Sequence, residues 1–86
     1  MKIITINSMW CPACIVMHKV WNKVKDNNSD IEFVNYDYDM DEDIVKSFNP
    51  GDILPITIFM VNDKEVFRLN GEKSVEEIEN VILQYK

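Results

Sequence analysis

Four stretches of the chain carry the β-branched and aromatic residues typical of strands. Residues 2–6, KIITI, end at Asn7-Ser8, and residues 31–38, IEFVNYDY, form the second stretch. Residues 56–61, ITIFMV, are the apolar run expected of a central strand covered on both faces. Asn62-Asp63 then predicts a tight turn into a fourth strand over 65–69, antiparallel to the third.

Apolar residues spaced three and four apart predict helices between these strands. The first helix starts at Pro12, which suits the first helical position, and ends at the polar run 26–30. Its apolar positions are Ile15, Val16, Val20, Trp21 and Val24.

Two further helices follow. A short one is predicted near 41–48, capped by Asp39, Asp41 or Glu42, and the turn 49–52 ends it. The last opens at Ser74, which forms a capping box with Glu77. Its apolar stripe is Val75, Ile78, Val81, Ile82 and Tyr85.

The resulting order, β-α-β-α-β-β-α, is that of an α/β protein. It predicts a right-handed βαβ unit followed by a hairpin and a closing helix, in a three-layer sandwich around a four-stranded mixed sheet. Eighty-six residues suffice for one core, so we expect a single domain over 1–86.

The charge balance excludes some partners. Fifteen acidic against nine basic side chains give a net charge of -6, which opposes binding to nucleic acid and to anionic membranes. Ile3-Ile4 is too short for a signal-peptide core, and the apolar stretch 53–61 contains a proline and a threonine. We therefore expect a cytoplasmic protein with neither partner.

Cys11 and Cys14 are the only cysteines of the chain, separated by Pro12-Ala13. In a reducing cytosol such a pair does not serve as a lasting structural disulfide. Cys11 falls at the N-terminus of the first helix, where free N–H groups stabilise a thiolate, and Cys14 lies one turn inside on the same face. This spacing suits a two-step thiol–disulfide exchange.

Two other interpretations of the cysteines remain open. Together with His18 they could be three ligands of a zinc site, although a fourth ligand is missing. They could also be inert buried thiols. His18 by itself is interpreted as an ordinary histidine of the helix surface.

Trp10-Cys11-Pro12-Ala13-Cys14 after a first strand, together with Ile53-Leu54-Pro55 before an apolar strand and Gly71 after the hairpin, resembles the thioredoxin and glutaredoxin superfamily. The resemblance covers nearly the whole chain, and the length of the chain matches the minimal glutaredoxin-sized core. It implies a thioredoxin-like fold.

The resemblance also implies roles for single residues. Cys11 would be the attacking thiol and Cys14 the resolving thiol. Leu54-Pro55 would be a cis peptide bond, with the backbone of Leu54 pairing with the substrate chain. The substrate would lie on a shallow apolar patch around Cys11, made by Trp10, Pro12, Leu54, Pro55 and Gly71.

Some family features are absent. Thr5 stands where thioredoxins usually keep a buried acid under the cysteines, and Asn35 where they keep a lysine. Gly71 is alone where glutaredoxins have paired glycines for glutathione. The acidic run 37–43 is interpreted as the solvated start of a helix, with a docking patch for a basic partner as the alternative.

We therefore expect a monomeric protein-disulfide reductase that uses Cys11 and Cys14, with no metal and no bound cofactor. Its partners would be disulfide-containing proteins and a recycling reductase, with electrons from an NADPH-linked thioredoxin reductase or from glutathione. One alternative is a glutathione-dependent glutaredoxin, or a redoxin dedicated to one enzyme such as a ribonucleotide reductase. The alternative of another class is a zinc-binding or structural interaction module.

Overall fold

The computed structural model describes residues 1–86 and contains the seven predicted elements in the predicted order. They are β1 (Lys2–Asn7), α1 (Pro12–Asn27), β2 (Glu32–Asp37), α2 (Glu42–Ser47), β3 (Ile56–Val61), β4 (Lys64–Asn70) and α3 (Val75–Tyr85). None of the three helices combines the length and the apolar character needed to cross a membrane.

The four strands form one mixed sheet in the order β2-β1-β3-β4. β1 is parallel to β2 and antiparallel to β3, and β3 is antiparallel to β4, as the hairpin pattern predicted. Asn62 and Asp63 both have positive φ, which is the backbone conformation that a two-residue type I′ hairpin turn requires at both of its central residues.

Alternate residues of β1 and β3 face two separate clusters of the core. Ile3 and Phe59, partners across the strands, pack with α1 and α3 on one face. On the other face, Ile4 and Ile58 share a cluster with Val45 of α2. Helices therefore cover both faces, which confirms the α/β sandwich. Trp21 is buried among the α1 residues of the first cluster, as its helical spacing indicated.

The strand directions bring four connecting segments to one edge of the sheet. The parallel strands β1 and β2 both end there, and the N–H of Tyr38 donates to the carbonyl of Asn7 at 2.8 Å. Because β3 is antiparallel to β1, it starts at the same edge, directly after Pro55. β4 ends there at Asn70, just before Gly71. Residues distant in sequence thus meet beside the start of α1.

Candidate active site

Cys11 is the N-cap residue of α1, with extended backbone and Pro12 in the first turn. Its Sγ accepts a hydrogen bond from the N–H of Cys14 at 3.3 Å. The N–H of Cys14, which also donates to the carbonyl of Cys11 at 3.1 Å, and the positive end of the helix dipole therefore meet this sulfur, as is typical of reactive cysteines at helix N-termini. The side chain is buried, with 5% of its surface exposed.

Cys14 lies one helical turn further on and is also buried and free. Burial, aided by the side-chain hydrogen bond with Cys11, raises the pKa of Cys14 to about 12. The second thiol is thus held neutral at physiological pH. The two sulfurs thus differ in their surroundings, since Cys11 accepts a backbone hydrogen bond at the helix N-terminus and burial raises the pKa of Cys14.

The hydrogen-bonded polar side chains shared by β1 and β2 are neutral. Thr5 donates from Oγ1 to Oδ1 of Asn35 at 2.8 Å, and the side-chain amide of Asn7 donates to the same oxygen. Thr5 and Asn35 are partners in the β1–β2 pairing. No carboxylate or ammonium group belongs to this network, so it supplies hydrogen bonds but no proton acceptor of its own.

Trp10 is 63% exposed, and its indole is held in one orientation. Its Nε1 donates to Oδ2 of Asp39 at 2.7 Å, and its ring meets Tyr38 edge to face at 6.2 Å between centroids. The hydroxyl of Ser8 donates to the same carboxylate oxygen at 3.3 Å. Asp39 therefore ties the segment before the cysteines to the segment after β2.

Sequence reasoning missed this role of Asp39, which was interpreted as a candidate helix cap within a solvated acidic run or a docking patch. The parallel pairing of β1 and β2 would have placed Asp39 near Trp10. The expected capping of α2 is also corrected. Asp41 is the N-cap residue, but it makes no side-chain capping bond, because its Oδ2 accepts from the N–H of Asp37 at 2.8 Å.

Leu54-Pro55 is a cis peptide bond, as the resemblance implied. Leu54 shares a buried cluster with Cys11 and Cys14. Neither the N–H nor the C=O of Leu54 has a hydrogen-bond partner within the chain. The backbone polar groups of Leu54 are therefore left unpaired by the fold.

Gly71 is fixed to the same segment, because its N–H donates to the carbonyl of Pro55 at 2.8 Å. It has a φ of +85°, and a Cβ there would lie 3.3 Å from Cγ2 of Ile53. Both its backbone conformation and its close contact with Ile53 favour glycine.

The expected apolar patch differs in its composition. Leu54 and Pro55 are buried, so their side chains do not form the exposed surface. Trp10 and Pro12 are exposed, and Met9 and Ile53, which sequence reasoning did not include, add apolar surface with 85% and 61% exposure. The exposed apolar residues of these segments are thus Met9, Trp10, Pro12 and Ile53.

His18 is exposed on α1 and does not combine with Cys11 and Cys14 into a metal site. No group of three or more His, Cys, Asp or Glu side chains is placed to hold a metal ion. The zinc interpretation therefore finds no ligand set.

Comparison with known proteins gives the same fold. A family model described as Thioredoxin matches residues 1–84. No curated protein sequence matches the chain. Thioredoxin-2 of the malaria parasite, a component of its protein secretion machinery, superposes with a TM-score of 0.92 at 20% identity, over 98% of this chain and 82% of its own.

Two other solved structures are similar to this chain. Thioredoxin NaTrxh from Nicotiana alata has a TM-score of 0.91 at 28% identity, over 99% of this chain and 72% of its own. Fasciola hepatica thioredoxin has a TM-score of 0.90 at 20% identity, and the match covers 99% of this chain and 80% of that thioredoxin. At 20% identity the likeness concerns the fold.

Proposed function

This chain belongs to the thioredoxin family, and we propose that it is a cytoplasmic thiol–disulfide oxidoreductase that reduces disulfides of proteins through Cys11 and Cys14. The observation that carries the proposal is the contrast between the two thiols. The sulfur of Cys11 accepts a hydrogen bond from the N–H of Cys14 at the start of α1, whereas burial keeps the Cys14 thiol protonated by raising its pKa.

The first step forms a mixed disulfide. The Cys11 thiolate attacks one sulfur of the substrate disulfide, and the other substrate sulfur leaves as a thiolate. The free backbone of Leu54 pairs with the substrate chain, and Trp10 offers an apolar surface beside it. These two contacts orient the substrate without selecting one sequence.

The second step releases the substrate. Cys14 loses its proton to the departing substrate thiolate or to water, and its thiolate attacks the Cys11 sulfur. The bond between Cys11 and the substrate breaks, the second substrate thiol leaves, and a Cys11–Cys14 disulfide remains. A reductase or a small thiol then supplies two electrons to restore the dithiol.

Two variants test the proposal. Cys11→Ser should abolish insulin reduction with dithiothreitol as the electron source, because no attacking thiolate remains. Cys14→Ser should accumulate mixed disulfides on Cys11, because nothing resolves them, and mass spectrometry of the trapped species identifies the substrates. Insulin reduction at the wild-type rate by Cys11→Ser would sink the proposal.

A further inference from the structure

Strand β2 forms one edge of the sheet, because β1 is its only neighbour in the strand order. The N–H of Glu32 donates to the carbonyl of Met1, and the N–H of Tyr38 donates to the carbonyl of Asn7. Since the backbone groups of successive strand residues point to opposite sides, the even-numbered residues of β2 face β1. The backbone groups of residues 33 and 35 therefore point away from the sheet.

This open edge ends at Asp37. The N–H of Asp37 donates to Oδ2 of Asp41 at 2.8 Å, and its carbonyl accepts from the N–H of Asp41 at 2.9 Å. The N–H and C=O groups of Phe33 and Asn35 have no such partners within the chain. Two donors and two acceptors thus remain open along this edge.

Helix α1 leaves space beside β2. A cavity of about 600 Å³ opens between the helix and the strand, and Cys14, Phe33 and Asn35 are among its lining residues. The side chain of Asn35 is exposed and that of Phe33 is half-buried. A further strand can therefore reach the open backbone groups.

The opposite edge of the sheet, strand β4, is less suited to pairing. It carries the charged residues Lys64, Glu65 and Arg68, and a register shift interrupts its pairing with β3. Charged side chains and irregular pairing are the devices by which proteins protect their sheet edges. Residues 33–36 of β2, FVNY, carry no charge.

We propose that two copies of this chain pair through β2, antiparallel about a two-fold axis at Val34, so that two four-stranded sheets join into one. Phe33 of each copy then lies opposite Asn35 of the other copy. Opposed residues of this kind exchange both of their N–H···O=C bonds. Every open group of the edge is thereby satisfied. The sequence alone led us to expect a monomer, because the open groups follow from the strand order.

The charges along the paired strands fit this register. Glu32 of one copy lies opposite Tyr36 of the other, so no like charges are opposed. Asp37 of one copy lies diagonal to Phe33 of the other copy. Nζ of Lys25 lies 5.8 Å from the centroid of that ring, and neither Lys25 nor Asp37 forms an ion pair within the chain. Pairing therefore brings opposite charges together on each side of the axis.

Both candidate active sites stay accessible in this dimer. Cys11 lies at the edge of the sheet where β2 ends, and antiparallel pairing directs these ends of the two copies away from each other. The proposal is therefore independent of the proposed redox function. Its failure would leave protein-disulfide reduction intact, and a chain without redox activity could still form the dimer.

The wild-type protein tests the proposal with its thiols kept reduced, which prevents intermolecular disulfides. Physiological ionic strength screens the repulsion between two chains of net charge -6 beyond about 8 Å. Sedimentation equilibrium should show a reversible monomer–dimer equilibrium, and the amides of Phe33 and Asn35 should exchange with solvent more slowly as the protein concentration rises. A chain that stays monomeric at millimolar concentration would overturn the proposal and leave the edge to a strand of another protein. So would a dimer in which the exchange of these two amides is unchanged.

A cross-link tests the register. Val34 faces itself across the axis in a non-hydrogen-bonded pair, where Cα atoms are about 4.5 Å apart, within the range of a disulfide. In a chain with Cys11→Ser and Cys14→Ser, the further change Val34→Cys should give a disulfide-linked dimer on mild oxidation. Val66→Cys in the same chain is the matched control, because Val66 is also half-buried but lies on β4, and it should cross-link far less. Equal cross-linking of the two variants would overturn the register.

A matched pair of lysine variants tests the contact between Lys25 and Asp37. Lys25→Glu should raise the dissociation constant of the dimer about tenfold, because it turns two attractive contacts into repulsive ones. Lys23→Glu lies on the exposed side of the same helix, changes the net charge equally, and should have a much smaller effect. Equal effects of the two variants would contradict the proposed pairing.

Discussion

The buried Cys14 thiol makes the stability of the reduced protein depend on alkaline pH. Burial, followed by the hydrogen bond with Cys11, raises the pKa of Cys14 from 9.0 to about 12. The thiol therefore stays neutral in the folded chain at a pH where it ionises in the unfolded chain. Its stabilising contribution is fully present below pH 9 and is lost as the pH rises from about 9 to about 12.

The size of the effect follows from the unfolded chain. With an unfolded pKa of 9.0, ionisation of one thiol lowers the free energy of unfolding by about 1.4 kcal/mol between pH 7 and pH 10. The folded state contributes almost nothing to this difference as long as its pKa lies well above 10. The total free energy of unfolding of a domain of this size is roughly 5 to 15 kcal/mol, so a loss of this size is measurable.

Urea unfolding of the reduced protein at pH 7 and pH 10 measures this loss, with a phosphine keeping both thiols reduced. Other groups also titrate, so the quantity of interest is the loss in the wild type minus the loss in Cys14→Ser. We expect a difference of about 1.4 kcal/mol. The Cys11→Ser variant keeps Cys14 buried and should therefore show most of the wild-type loss in the free energy of unfolding. Equal losses in the wild type and Cys14→Ser would refute the reasoning.

Three further predictions concern the frame of the site, and urea or thermal unfolding measures each. Asp39→Ala removes the acceptor of Trp10 and Ser8 and should cost about 1 kcal/mol with a change in Trp10 emission, whereas Asp52→Ala, which breaks no hydrogen bond, should change neither. Ser74→Ala loses the bond that Oγ of Ser74 accepts from the N–H of Glu77 and should lower Tm by about 5 °C, and an unchanged Tm would contradict the role of the cap; Ser29→Ala is its control. Gly71→Ala places a Cβ against Ile53 at positive φ and should cost about 1 kcal/mol or more, while Gly51→Ala meets no atom within 4 Å and should cost less.

Much of the fold could be predicted from the sequence because local pattern and tertiary packing agree. The apolar run 56–61 became the central strand β3, and Asn62-Asp63 adopts the turn that its composition indicated. Ser74 and Glu77 make both bonds of the predicted capping box. In each case one local signal decides the structure.

The parts of the site that escaped prediction depend on contacts between distant segments. Asp39 bonds Trp10 across 29 positions, and nothing in the acidic run itself distinguishes it from its neighbours. The burial of the Leu54 and Pro55 side chains follows from how their loop enters the sheet. The cavity beside Cys14 exists only once α1 and β2 are packed.

The most direct test of the central claim is equilibration of the protein in graded dithiothreitol or glutathione redox buffers, followed by thiol counting and Trp fluorescence. If Cys11 and Cys14 form the working pair, both thiols disappear together as a single two-electron couple within one molecule. A reduction potential of about -270 mV would indicate a cytosolic reductant, and a potential of about -180 mV or above would indicate an oxidant or isomerase. If both thiols stay free in the most oxidising buffer, the redox function proposed for this site is contradicted.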